Sequence, residues 1–210
     1  MVEGDKTAEK KQAEPACRGF NGGFFMEDYE IIGLYYDRSE DAIAETDVKY
    51  GSLCRHIAVN ILASREDAEE CVNDTYLGVW NAIPPKRPDR LSAFIGKITR
   101  NLALKRYEYL SAGKRNPEAS CSLSELEECV SGQDSVESEL EKRRIEKAIS
   151  DFLWSENETA RWIFIRRYWY FDSIEHIVGR SGFSRSKVTS LLFRSRKRLR
   201  NYLQKEGISI

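Results

Sequence analysis

DSIEHIVGRSGFSRSKVTSLLFRSRKRLR, residues 172–200, decides how this chain is read. Ser173 stands where a helix N-cap is wanted, ahead of the short run Ile174-Glu-His-Ile-Val178. Gly182 suits a tight turn that needs positive φ, and Ser184 caps a second, long and basic helix. Val188, Leu191, Leu192, Ser195, Leu199 and Tyr202/Leu203 recur at helical spacing and form its inward stripe. Arg185, Ser186, Lys187, Thr189, Ser190 and Arg194 fall largely on the other side. This is the pattern of a helix-turn-helix, whose second helix reads base edges from its N-terminal half. A basic amphipathic helix alone would be an ordinary solvated face; the two caps around a glycine turn are what point to duplex DNA.

Charge is distributed rather than accumulated. The 210 residues carry a formal net charge of −1, so nothing global announces nucleic acid. Yet Arg161 to Lys205 holds twelve basic residues opposed by Asp172 and Glu175. A second basic stretch runs from Lys86 to Arg115, and the segment between them, Glu118 to Glu158, is acidic. Two cationic lobes with an anionic connector suit a protein that touches one polyanion at two places.

Five cysteines (17, 54, 71, 121 and 129) form no CxxC pair, and Cys54 and Cys71 sit in apolar helical patterns as small buried thiols. His56 and His176 stand in different lobes, far from any metal-like cluster, so no metal and no cofactor is expected. Odd cysteine usage and the lack of a signal peptide or a membrane-length apolar run point to a reducing cytoplasm. No Gly-rich phosphate loop, HExxH, GxSxG or paired nucleophile appears, so no catalytic residue and no small-molecule substrate is expected. The carboxylates are read as helix-dipole and solubility residues.

Along the chain, residues 1–26 read as a disordered extension, and Met26 stands as a candidate natural start. The pattern is then helical: Asp47 to Ala63 with Val48, Leu53, Ile57, Ala58 and Ile61 inward, a helix capped by Ser64, and Leu91 to Leu110 after a proline-rich break. Gly, Pro, Ser and acidic residues mark 113–136 as a flexible acidic linker. Helical patterning resumes over Ser138 to Phe152 and Glu156 to Trp169. The expectation is an all-α chain of two small helical domains, 27–112 and 137–205.

Two motifs, in order, carry a resemblance. Arg65-Glu-Asp-Ala-Glu-Glu-Cys-Val-Asn-Asp-Thr-Tyr-Leu-Gly-Val-Trp80 and Leu91-Ser-Ala-Phe-Ile-Gly-Lys-Ile-Thr-Arg-Asn-Leu-Ala103 resemble two helices of bacterial sigma factors of the extracytoplasmic-function type. Phe164-Ile-Arg-Arg-Tyr168 and the helix-turn-helix after it resemble that family's C-terminal domain. The resemblance implies a region 2-like bundle and a region 4-like helix-turn-helix. It implies a factor that binds core RNA polymerase and directs it to promoter DNA through −10 and −35 elements.

Residue roles follow from the same resemblance. Glu70, Asn73 and Asp74 take the places that dock on core polymerase, a carboxylate–amide–carboxylate row facing basic partner residues. Arg100, Asn101, Lys105 and Arg106 take the −10 and melting surface, with Asn101 able to donate and accept at a base edge. Arg185, Ser186, Lys187 and Ser190 are the expected −35 base contacts, and Arg194, Arg196, Lys197 and Arg198 the phosphate contacts. An anti-sigma factor would cover both lobes and compete with polymerase. The acidic connector, by charge, is a candidate nucleic-acid mimic in the polymerase's RNA exit path. The alternative is a stand-alone helix-turn-helix regulator with an N-terminal sensor or dimerisation domain, binding a palindrome as a dimer; a protein-binding adaptor explains neither basic lobe.

Overall fold

A computed structural model of the chain describes residues 26–110, 114–130 and 139–208. The segment 1–25 of the expected extension, residues 113 and 131–136 of the expected linker, and residues 111–112 and 137–138 at the facing ends of the two expected domains lie outside the described residues. Among those described there are nine helices and no strand, so the all-α expectation holds. They are α1 (Asp28–Tyr36), α2 (Asp41–Leu62), α3 (Arg65–Ala82), α4 (Leu91–Tyr109), α5 (Pro117–Val130), α6 (Glu139–Ser155), α7 (Glu158–Tyr168), α8 (Ile174–Ser181) and α9 (Arg185–Lys205).

Helices α1 to α4 pack around one core that includes Ile31, Ile57, Ile61, Val72, Val79, Leu91 and Ile95. The Ser64 hydroxyl accepts from the Asp67 N–H, and Glu66 and Asp67 face the positive end of the α3 dipole. Helix α2 begins six residues before the expected Asp47, and Val48 is 64 % exposed rather than inward. The buried stripe of α2 runs instead through Thr46, Gly51, Cys54, Ile57, Ala58 and Ile61. Cys54 and Cys71 are buried free thiols, as expected.

A second core gathers Phe152, Ile163, Phe164, Ile177, Val188, Leu192, Leu199 and Leu203 from α6 to α9. Its helix-turn-helix is built as the sequence implies. Ser173 accepts from the His176 N–H, Gly182 sits at φ 68, and Ser184 accepts from the Lys187 N–H. The five fully buried residues of α9 all come from the expected stripe, with Leu191 and Tyr202 half-buried at its edges.

The connector departs from a flexible linker, because residues 117–130 form helix α5. Asn116 Oδ1 accepts from the Glu118 N–H at 3.0 Å and Asn116 O from the Ser120 N–H at 2.9 Å. Pro117 then fills the first helical position, where a missing N–H costs nothing. Serine and glutamate gave this stretch a loop composition, yet Ala119 and Ser122 are fully buried along one side. Leu123 packs on the first core and Leu126 on the second.

The lobes also meet through the turn after α7. Phe171 adopts φ 55, a left-handed conformation disfavoured for a bulky side chain, and is 1 % exposed within the first lobe's core. Burial of the ring holds a backbone conformation that local preference opposes. Phe171→Ala is therefore expected to destabilise the docked arrangement by about 3–5 kcal/mol, seen as a larger radius of gyration in small-angle X-ray scattering with helicity preserved.

Candidate functional site

Helix α3 turns Glu70, Asn73 and Asp74 outward, while Ala68, Cys71, Val72, Thr75 and Tyr76 are buried. Leu77, 58 % exposed, continues the same face at the i, i+3, i+4, i+7 spacing and was missed in the sequence reading. Arg106 of α4 lies 2.6 Å from Glu70 Oε2 and 2.7 Å from Asp67 Oδ1, so two separately expected surfaces meet in one ion-pair cluster. The hydrogen bond from Arg106, followed by its charge, holds the Glu70 carboxyl below its ordinary value. Cys71, Asp74, Leu102, Lys105, Arg106 and Tyr109 line a shallow groove between α3 and α4. Asn101 and Lys105 are exposed and have no side-chain partner among the described residues.

Arg100 is placed differently from its neighbour Asn101. Its guanidinium lies 5.1 Å from the Trp169 ring centroid and 5.5 Å from that of Phe171, both from the turn after α7. Its Nε is buried with no hydrogen-bond partner, and burial pushes its pKa down from the ordinary value. Arg100 thus stands between the lobes rather than on open surface.

At the start of α9, Arg185, Ser186 and Lys187 are exposed and Ser190 is half-buried. Arg185 pairs with Glu175 of α8, and Lys187 Nζ lies 3.6 Å from the Phe183 ring centroid. The four expected phosphate contacts divide into two kinds. Arg194 and Lys197 are exposed without a side-chain partner among the described residues. Arg196 Nη1 instead donates to Glu125 Oε2 at 2.9 Å and to the Tyr168 hydroxyl at 2.6 Å, and Arg198 Nε donates to Glu156 Oε1 at 2.6 Å.

These contacts correct the reading of the carboxylates as solubility residues. Arg167 is 1 % exposed and donates to Glu118 Oε2 at 3.0 Å, Glu125 Oε1 at 3.1 Å and the Asp172 carbonyl at 3.1 Å. Burial alone would raise the Glu125 pKa, but hydrogen bonds from Tyr168 and Arg167, with the charges of Arg167 and Arg196, leave it lowered. The hydrogen bond from Arg198, against burial, likewise lowers Glu156. Arg166-Arg167, directly after the apolar run Trp162-Ile-Phe-Ile165, was the available signal: a guanidinium on the inward face needs carboxylates from elsewhere.

The histidines also need correction. Although they come from different lobes, their ring centroids lie 5.3 Å apart, on either side of Asp172. His56 Nε2 is 2.6 Å and His176 Nδ1 3.5 Å from Asp172 Oδ1, so the two do belong to a cluster of metal-ligand type. Asn60 Nδ2 donates to the same oxygen at 3.0 Å, and Arg166 holds Asp172 Oδ2. Sequence spacing could not reveal it, because His56 and Asp172 are 116 residues apart.

Glu125→Ala is expected to cost about 3 kcal/mol, the lower end for breaking a buried ion pair, since Glu118 still reaches Arg167. Because Glu125 and Glu156 are held below their ordinary 4.5, their stabilisation is present above that pH and is lost as pH falls through the lowered values. Denaturant titrations at descending pH should show that loss, and Glu125→Gln should flatten it.

Among the described residues no helix is long and apolar enough to cross a membrane. No curated protein matches the chain significantly. Residues 48–112, from within α2 to just past α4, match the family model of Sigma-70 region 2, and this match supports a sigma-70 family factor.

Proposed function

We propose that this chain is a transcription initiation factor of the extracytoplasmic-function type, acting in the cytoplasm, which binds core RNA polymerase and directs it to promoters. The observation that carries the reading is the occurrence, in one chain, of a Sigma-70 region 2 match and a doubly capped helix-turn-helix behind it. On this reading the first lobe docks on polymerase and engages the −10 element, and the second reads the −35 element in duplex DNA. The exposed α3 face with Glu70, Asn73, Asp74 and Leu77 is the polymerase contact. Asn101 and Lys105 meet the melted strand, and Arg100 joins them once the lobes part. No catalytic step is assigned to the chain. An anti-sigma factor covering both lobes fits the same scheme.

The deciding experiment is size-exclusion co-elution with bacterial core RNA polymerase. Asn73→Ala/Asp74→Ala is the preferred variant, because Glu70 also holds Arg106. The wild type is expected to co-elute and the double variant to lose at least about tenfold in affinity, roughly 1.4 kcal/mol. Binding to duplex DNA alone without polymerase binding would transfer the assignment to a stand-alone regulator.

Within α9, the exposed side chains separate reading from clamping. Lys187→Ala should cost about 1–3 kcal/mol on the preferred −35 sequence and relax specificity at one position, whereas Arg194→Ala should weaken all sequences alike. Binding measured across a −35 sequence library at fixed salt distinguishes the two profiles.

A further inference from the structure

We propose that His56, Asp172 and His176 form a binding site for one divalent transition-metal ion of the zinc class, joining the two lobes. His56 Nε2, Asp172 Oδ1 and His176 Nδ1 all lie within 4.8 Å of one another. Zinc bonds of about 2.0–2.2 Å to nitrogen and oxygen set tetrahedral ligand atoms about 3.3 Å apart. The 2.6 Å and 3.5 Å separations from Asp172 Oδ1 bracket that value, so small rotations of the two rings close the set.

The donors are held as ligands need to be. Asp172 and His176 are four residues apart across the capped start of α8, and His56 projects from the C-terminal half of α2. The Asp172 side chain has no solvent exposure, and Arg166 pins its other oxygen, the outer-shell hydrogen bond that orients a coordinating carboxylate. His56 and His176 are 27 % and 40 % exposed, which leaves an approach for the ion and room for water as a fourth ligand. Two imidazoles and one carboxylate suit zinc, cobalt or nickel and disfavour magnesium and calcium, which require mostly oxygen.

Two groups now share the polar space between the donors. Asn60 Nδ2 lies 3.2 Å and Arg166 Nη2 3.1 Å from His56 Nε2. Asn60 must turn away when the ion enters, keeping its bond to the Tyr170 carbonyl at 2.8 Å. Arg166 retains Asp172 through Nε, and its charge sets the site's affinity below that of a closed structural zinc centre. Since the ligands come from both lobes, an ion that binds here favours their docked arrangement by mass action.

The test is titration of the full-length, chelator-treated chain with Co2+, followed by displacement with Zn2+. Expected are one equivalent of Co2+, visible d–d bands of a low-coordinate nitrogen–oxygen site, loss of those bands with Zn2+, and a metal-dependent rise in Tm. His176→Ala, a change at a half-exposed position, should weaken Co2+ binding by at least about tenfold, a loss that even outer-shell changes reach; His56→Ala should do the same. Circular dichroism verifies that each variant is folded, and His176→Ala decides alone if His56→Ala is not. The proposal is overturned if the wild type shows no Co2+ spectrum at excess ion. It is overturned equally if folded His176→Ala binds as the wild type does.

Discussion

Asp172 has no exposure to water, and a carboxylate there must be either neutralised or surrounded by donors. Burial would raise its pKa, but hydrogen bonding to His56 and the charge of Arg166 reverse the effect. Its neighbours are therefore dictated rather than optional: Arg166 from α7, His56 and Asn60 from α2, and His176 one turn into α8. Leaving such a charge unpartnered would cost several kcal/mol, on the scale of a small domain's entire stability. One residue thereby fixes the turn after α7, seats Phe171 in the first core, and brings Trp169 and Phe171 over Arg100.

The arginines divide by the same electrostatics. Arg167, Arg196 and Arg198 have carboxylate partners on α5 or at Glu156, whereas Arg194 and Lys197, on the same helix as the last two, face water. A guanidinium satisfied by a buried carboxylate gains little by moving to a phosphate, because the carboxylate left behind is then unpaired. Composition alone cannot separate these classes. A basic helix contains both residues that fasten it to its own lobe and residues free to meet a polyanion, and the carboxylates of Glu125 on α5 and Glu156 after α6 decide which are which.

Where a cap and a periodic stripe coincide, local signals in the sequence were sufficient for local structure. The caps at Ser64, Ser173 and Ser184, the turn at Gly182 and the α9 stripe all follow from side-chain hydrogen bonding and 3.6-residue periodicity, which act within a few residues. Asn116-Pro117 was an equally legible helix start, obscured by a composition that resembled a loop. Glu70, Asn73 and Asp74 on α3 and Arg185, Ser186 and Lys187 at the start of α9 lie on exposed faces because periodicity determines a helix's outside as well as its inside. What could not be read were the long-range pairings: Glu125 with Arg167 and Arg196, Arg100 beneath Trp169, and two histidines around one aspartate. Each depends on how distant helices pack, and the residues involved carry no spacing that records it.

Helix α5 belongs to both cores, with Ala119 and Leu123 against one and Leu126 with Glu125 against the other. At about 1.5 Å per residue, its fourteen residues make a rod roughly 21 Å long whose two ends have different attachments. Such a rod cannot stay neutral when its anchors move apart. Separation of the lobes must strip either Ala119 and Leu123 from the first core or Leu126 and the Glu118 and Glu125 ion pairs from the second, and the latter loss leaves the buried guanidinium of Arg167 without its carboxylates. Helix α5 consequently acts as a strut that neither lobe can shed without losing apolar packing or ion pairs.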